Sequence, residues 1–120
     1  MKTVEDEKLI GRWESQLRKG MLDFIILLCL KEEESYGYRM IRSIKEVSSL
    51  DISEGTIYPL LTRLKKDDLI LSKWVELETG IPRKYYRITE KGERVLSGMI
   101  KSWKQFNSSL KILLARGEEQ

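Results

Sequence analysis

The chain has 120 residues, with 22 Lys and Arg against 19 Asp and Glu, no histidine and a single cysteine, Cys29. Without imidazole there is no Ser-His-Asp or Cys-His couple and no histidine metal ligand, and one thiol builds neither a zinc ribbon nor an internal disulfide. No phosphate loop or polar-pocket motif accompanies the carboxylates, so composition argues against an enzyme, a metal site or a bound cofactor and fits one domain, or a small domain carrying a long helix.

The net charge of +3 permits a polyanionic partner without demanding one. Met1 to Gly20 lacks an apolar signal core, and the apolar run Met21 to Leu30 contains Asp23 and is too short to span a bilayer. A cytoplasmic, reduced protein with no membrane partner is expected.

The first helix is expected from about Leu9 to Leu30. Its stretch from Met21 to Leu30 is apolar almost all round, which calls for cover on more than one side. Lys31 to Ser35 reads as a solvated break. From Tyr36 to Val47, Met40, Ile44 and Val47 fall at spacings of four and three with Ile41 beside them, one apolar helix face, leaving Arg39, Arg42 and Lys45 off it. Ser48 to Ile52 is the turn. Ser53 then stands as an N-cap, with Ile52 able to staple against Ile57. In the third helix Ile57, Leu60, Leu61 and Leu64 follow the i, i+3, i+4, i+7 pattern, so Gly55, Pro59, Thr62, Arg63 and Lys66 point away from the core. Pro59 requires either a later helix start or an irregular first turn, because an interior proline costs about 3 kcal/mol.

From Leu69 to Leu77 the period changes to two. Glu78-Thr79-Gly80-Ile81-Pro82 is turn chemistry, and Arg83 to Ile88 is rich in strand formers, so this is a β-hairpin with a basic second arm. Thr79 to Ile88 holds three basic residues and no acid. Thr89 resembles an N-cap opening a helix that continues to Ala115, with Gly117 as its stop. Along it Leu96, Met99, Trp103, Phe106, Leu110 and Leu113 form a heptad-like seam that asks for another helix, although packing within its own domain would also absorb it.

Helix, helix, turn, helix and basic hairpin make a mainly α fold with a small β-hairpin, a winged helix-turn-helix followed by a long C-terminal dimerisation helix. The expected division is residues 1–88 for the N-terminal helix and the winged module and 89–120 for the dimerisation helix. Ser35 to Ile88 carries ten basic residues against seven acidic, a net +3. Arg and Lys in this arrangement would neutralise phosphates, while Thr, Tyr and backbone amides would fix register. An ordinary solvated hairpin and helix face is the bland alternative.

The stretch from Glu54 to Ile70 (EGTIYPLLTRLKKDDLI), followed by Arg83 to Gly92 (RKYYRITEKG), resembles the PadR family of bacterial transcriptional regulators, and Tyr36-Gly37-Tyr38 is similar to the start of that family's second helix. The resemblance extends from about Leu17 to Leu113. Asp68 stands where the family usually has glycine, and aspartate tolerates left-handed turn geometry better than most residues. The resemblance implies a homodimer in which the last helix packs on the partner's first helix, and two wings and two recognition helices straddle an inverted-repeat operator. It also implies membership of the smaller size class, in which some members sandwich a planar aromatic compound between paired tryptophans. Trp103 falls at the matching place.

On these grounds the DNA-binding candidates are Tyr38, Arg39, Ser53, Gly55, Thr56, Tyr58, Pro59, Thr62, Arg63, Lys66, Lys73, Arg83 and Lys84. Trp103, Met99, Asn107, Leu17, Asp23 and Phe24 are candidates to line a ligand pocket, and Leu96, Trp103, Phe106, Leu110, Leu113, Phe24 and Leu28 to form the dimer contact. Trp103 reads equally as a seam residue. Asp23 reads either as solvent-facing or as a pocket carboxylate favouring cationic aromatics. Cys29 reads as a small core residue and Trp74 as hairpin packing. The leading expectation is a repressor released by an aromatic or drug-like ligand. The alternative is a winged-helix dimer that binds small molecules or protein with little specific DNA affinity.

Overall fold

The computed structural model describes residues 1–48 and 50–118. Ser49, in the expected turn, and Glu119 and Gln120, at the end of the expected dimerisation segment, lie outside them. The order is α1 (Val4–Glu32), β1 (Ser35–Tyr36), α2 (Gly37–Ser48), α3 (Glu54–Lys66), β2 (Ile70–Glu76), β3 (Pro82–Ile88) and α4 (Glu90–Glu118). The strands form one antiparallel sheet in the order β1-β3-β2.

Helix α1 begins well before Leu9 because Thr3 and Asp6 form a reciprocal capping box, each side chain accepting from the other's backbone N–H at 3.1 Å. The expected break after Leu30 is shorter than its composition suggested: α1 reaches Glu32, and buried Ser35 pairs with Tyr86 as the start of a third strand. The stripe of α2 is buried at Met40 and Ile44, but Val47 is 86% exposed, since the last turn of α2 runs past the core. Ile52 and Ile57 are both buried, as a staple requires. Ser53 is the N-cap of α3 by backbone geometry, yet its hydroxyl meets Thr56 Oγ1 at 3.2 Å and caps no amide. Pro59 sits inside an unbroken α3. The amides of Thr56 and Ile57 share the Ser53 carbonyl at 3.1 and 3.0 Å, a tightened first turn, and the bond that proline forgoes would have ended on the carbonyl of exposed Gly55.

Helix α3 ends in a Schellman turn: Asp68 N–H donates to the Lys65 carbonyl and Leu69 N–H to the Leu64 carbonyl, both at 3.0 Å, while Leu64 and Leu69 pack together in the core. Asp68 takes the left-handed conformation, φ 60°, as the sequence suggested for this glycine-like position. The same corner launches α4. Thr89 N–H donates to the Leu69 carbonyl at 3.0 Å, its hydroxyl donates to the Asp68 carbonyl at 2.7 Å, and Gly92 N–H donates to that hydroxyl at 2.9 Å, which makes Thr89 the expected cap. A Cβ on Gly92 would lie 2.1 Å from the Leu69 carbonyl oxygen, so only glycine lets α4 leave at this angle. Helix α4 then passes through Gly117 to Glu118 instead of stopping there.

The core gathers Leu22, Ile26, Leu27 and Leu30 of α1 with the inner faces of α2 and α3, Ile70 and Tyr86 of the sheet, and Leu96 of α4. Leu96, expected at the dimer seam, is 0% exposed and belongs to this core, because the first turns of α4 must cover the joint before its stripe can face outward. Each 29-residue helix is about 43 Å long. Each buries only one end. The radius of gyration of 17.7 Å exceeds the roughly 14 Å of a compact chain of this length, and the excess lies in these two arms. Two substitutions at the joint should act with opposite sign. In urea unfolding, Gly92→Ala should lower stability by about 2–3 kcal/mol through overpacking, and Asp68→Gly should raise it by about 0.5–1 kcal/mol by relieving the left-handed residue.

Candidate functional site

Helix α3 presents Gly55, Thr56, Pro59, Thr62 and Lys66 along an exposed ridge. One flank of this ridge faces the wing and the other faces α1. On the wing flank lies a groove of about 630 Å³ lined by Tyr36, Gly37, Tyr38, Tyr58, Thr62, Trp74, Pro82, Arg83, Lys84 and Tyr86. It contains two cations, five aromatic rings and no carboxylate.

The wing turn follows from its sequence: Gly80 at φ 83° donates its N–H to the Leu77 carbonyl at 2.8 Å, and Leu77 N–H donates to the Ile81 carbonyl at 3.2 Å, a three-residue loop with glycine at its left-handed position. The register places Trp74 opposite Lys84 and Val75 opposite Arg83. Lys84 Nζ stands 5.6 Å from the Trp74 ring, and the Arg83 guanidinium lies 3.9 Å over the Tyr36 ring. Tyr36 in turn meets Tyr85 edge-on at 5.4 Å. The aromatic rings hold the two cations in place without neutralising them. Tyr58 reaches back across the start of α2, where its hydroxyl and ring would lie 2.7 to 2.8 Å from any Cβ on Gly37. The glycine in the middle of the Tyr-Gly-Tyr motif, at the head of α2, is therefore the seat of Tyr58, whose ring joins α3 to α2. Thr62 donates its hydroxyl to the Tyr58 carbonyl at 3.0 Å.

Three basic residues expected to face outward are engaged within the chain. Arg39 donates to Ser35 Oγ at 3.0 Å and to the Glu34 carbonyl, and lies 3.9 Å from the Glu33 carboxylate. Lys73 stands 3.9 Å from Glu34. Arg63 points to α1, where its guanidinium donates to the Asp23 carboxylate. Arg63 is on the exposed face as the periodicity required, but its side chain is long enough to reach the neighbouring helix. Asp23 therefore faces α3, and it is not among the residues that line the concavities beside Trp103. Lys66, Arg83 and Lys84 form no ion pair among the described residues.

Trp103 stands between two concavities where α4 runs antiparallel to α1. Met21, Phe24, Val95 and Met99 line the first, of about 480 Å³. Leu17, Met21, Ile25, Phe106, Asn107 and Leu110 line the second, of about 460 Å³. The candidates Trp103, Met99, Phe24, Leu17 and Asn107 are thus brought together. Phe106, Leu110, Leu113 and Leu28 are exposed. Sequence reasoning missed the platform role of Tyr36 and the exposure of Trp74, the first legible only once β1 pairs with β3 and the second once register sets Trp74 opposite Lys84.

This geometry defines a winged helix-turn-helix protein. Residues 26–98, more than half of the chain, match the model of the transcriptional regulator PadR-like family. A PadR-like transcription factor from bacteroid fragilis is 47% identical over 85% of this chain and 98% of its own, with a TM-score of 0.73. A PadR family transcriptional regulator from Eggerthella lenta is 31% identical over 93% of this chain and 97% of its own, with a TM-score of 0.84. A protein of Lysinibacillus sphaericus is 33% identical over 102 residues, 83% of this chain and 94% of its own. The chain belongs to the PadR-like family and is a DNA-binding transcriptional regulator. Among the described residues no helix is long and apolar enough to cross a membrane, and no group of three or more Cys, Asp or Glu side chains is placed to hold a metal ion.

Burial raises the thiol pKa of Cys29, with a smaller contribution from the negative charge of Glu32. Burial likewise raises the phenol of Tyr86, with Tyr58 adding to it. Both groups hold their protons more tightly folded than unfolded. The stability this confers is complete below the unfolded pKa and lost as pH rises through the folded one. Alkylation of Cys29 by iodoacetamide should therefore be slower at pH 8 than that of a free thiol, and should reach the free rate when the chain is unfolded in urea.

Proposed function

We propose that the chain is a homodimeric repressor whose subunits each present the α3 ridge and the wing to one half of an inverted-repeat operator. The observation that carries this reading is the groove between ridge and wing, where Arg83 and Lys84 stand on aromatic platforms with no acid beside them. Gly55, Thr56, Pro59 and Thr62, small or short at the ridge, let the helix axis approach base edges closely. Ser53, Tyr38, Tyr58, Lys66, Arg83 and Lys84 supply phosphate and sugar contacts around them. Charged residues already paired within the chain (Arg39 and Lys73) serve to hold the wing and α2 in register.

Dimerisation is supported by the exposed apolar arms, Leu9, Ile10, Trp13 and Leu17 on α1 and Phe106, Leu110, Leu113 and Leu114 on α4, none of which is buried among the described residues. A second copy supplies matching helices and covers both arms at once. Phe24 and Leu28 would extend the same contact toward the winged module. A planar aromatic ligand fits beside Trp103, with Met99, Phe24, Leu17 and Asn107 around it. Its binding would alter the separation of the two recognition helices, which the operator reads in steps of about 34–36 Å.

Replacing both Arg83 and Lys84 by alanine should weaken binding to every duplex and flatten the slope of log K against log salt by about 0.9 for each phosphate no longer neutralised, as read by fluorescence anisotropy. Unchanged affinity in that variant removes the wing from the interface. For the ligand, tryptophan fluorescence titrated with a planar cationic dye and with a phenolic acid should show quenching by at least one of them. Quenching that persists at full amplitude in Trp103→Ala excludes stacking at that residue.

A further inference from the structure

We infer that the Asp23–Arg63 ion pair is a positioning element that ties the seating of the recognition helix to α1, so that discrimination between DNA sequences depends on a carboxylate that touches no DNA. This rests on the reading of α3 as the DNA-facing helix. Arg63 projects from the outward face of α3, where an unpartnered guanidinium would be the strongest phosphate ligand on the ridge. It is turned aside to a residue 40 positions earlier in the chain. Among the described residues it makes the only ion pair that holds α3 to another element.

Two lateral contacts set how α3 is rolled about its own axis. The buried stripe of Ile57, Leu61 and Leu64 sets its depth and coarse orientation, and the contacts on its two flanks act on the roll that remains. On the wing flank, Tyr58 lies against Gly37; on the α1 flank, Arg63 holds Asp23. At a side-chain radius of about 5–6 Å, a roll of about 10° moves a tip by about 1 Å. A shift of that size exceeds the whole range of a good hydrogen-bond distance, about 2.7–3.2 Å, and so costs base contacts while leaving flexible phosphate contacts intact. The other end of the link is equally informative. Asp23 is followed by Phe24, which lines the concavity beside Trp103. A displacement of α1 there carries Asp23 with it, and through Arg63 it rolls the recognition helix. A pair with both members partly exposed adds little to global stability, so its loss should be read in specificity and not in folding.

The test is a double-mutant cycle with Asp23→Asn, Arg63→Gln and the two combined, plus Arg63→Lys, which keeps the charge but not the planar fork. The probes are the duplex that the wild-type protein enriches most strongly from a random pool and a scrambled duplex of equal length. Each single variant should lose about two- to fivefold of the preference for the enriched duplex, the double variant should be no worse than either, and Arg63→Lys should recover part of the loss. Affinity for the scrambled duplex, its salt slope and the melting temperature should stay near the wild-type values. The two single variants break the pair from opposite sides, so a folding defect in one leaves the other to be read. The inference is overturned if the two effects add in the double variant, or if Arg63→Gln alone weakens both duplexes and flattens the salt slope by about 0.9 per subunit, which would make Arg63 a direct phosphate ligand. Preference that survives in both single variants overturns the pair's role alone. A wild-type protein that enriches no duplex overturns the DNA-facing reading and the pair's role with it.

Discussion

The carbonyl of Leu69 is the point on which the geometry of this protein turns. It accepts from Thr89, it lies against the α-carbon of Gly92, and it belongs to the residue that closes the Schellman end of α3. Recognition helix, wing and long terminal helix therefore leave a single corner, within the reach of a few hydrogen bonds. A shift there would change the angle between ridge and wing, and so the width of the groove holding Arg83 and Lys84. It would also change the direction in which α4 projects, and with it, in the proposed dimer, the separation of the two subunits. Asp68, strained and left-handed, and Gly92, with no room for a side chain, are where the backbone yields to this geometry.

From that corner the molecule divides into a packed half and an open half. The packed half buries the C-terminal third of α1 and the first turns of α4, and it suffices to position α3 and the sheet. Beyond Leu22 in one direction and Ile100 in the other, most apolar residues of α1 and α4 stand at the surface. Burial of even a few such side chains is worth about 1.5–3 kcal/mol each, so the arms are poor as free surface and effective as contact. Trp103 sits at the boundary between the two halves, where a small change in how α1 meets α4 would reach Phe24 and, one residue away, Asp23.

Much of this was legible in the sequence, because it rests on local rules. The stripe through Ile57, Leu61 and Leu64, the staple of Ile52 and the cap at Thr89 follow from spacing and residue type, and the left-handed Asp68 from the family resemblance. The missed features depend on what lies across the fold. A two-residue strand has no period to detect, so β1 was hidden in an acidic break. The start of α1 was masked because its first turns are polar and its cap uses Asp6 in place of Glu or Gln. Periodicity put Val47 on the same face as Met40 and Ile44 but could not show that the core ends before it. It placed Leu96 on one seam with Leu110, yet the first belongs to the subunit's own core and the second to its open surface. It gave the direction of Arg63 at Cα; a long side chain then chose a carboxylate on another helix.

If ridge and wing of each subunit together form the DNA face, the wing tips must lie against the duplex in both half-sites. Tethering an iron chelate to a cysteine placed at Thr79, at the wing tip, in a Cys29→Ser background, and mapping hydroxyl-radical cleavage of a bound duplex reads this without intermediary. Two clusters of cleavage are expected, symmetric about the centre of the site and flanking the two half-sites. Cleavage at a single cluster, or none above background while the duplex remains bound, would contradict a paired ridge-and-wing face.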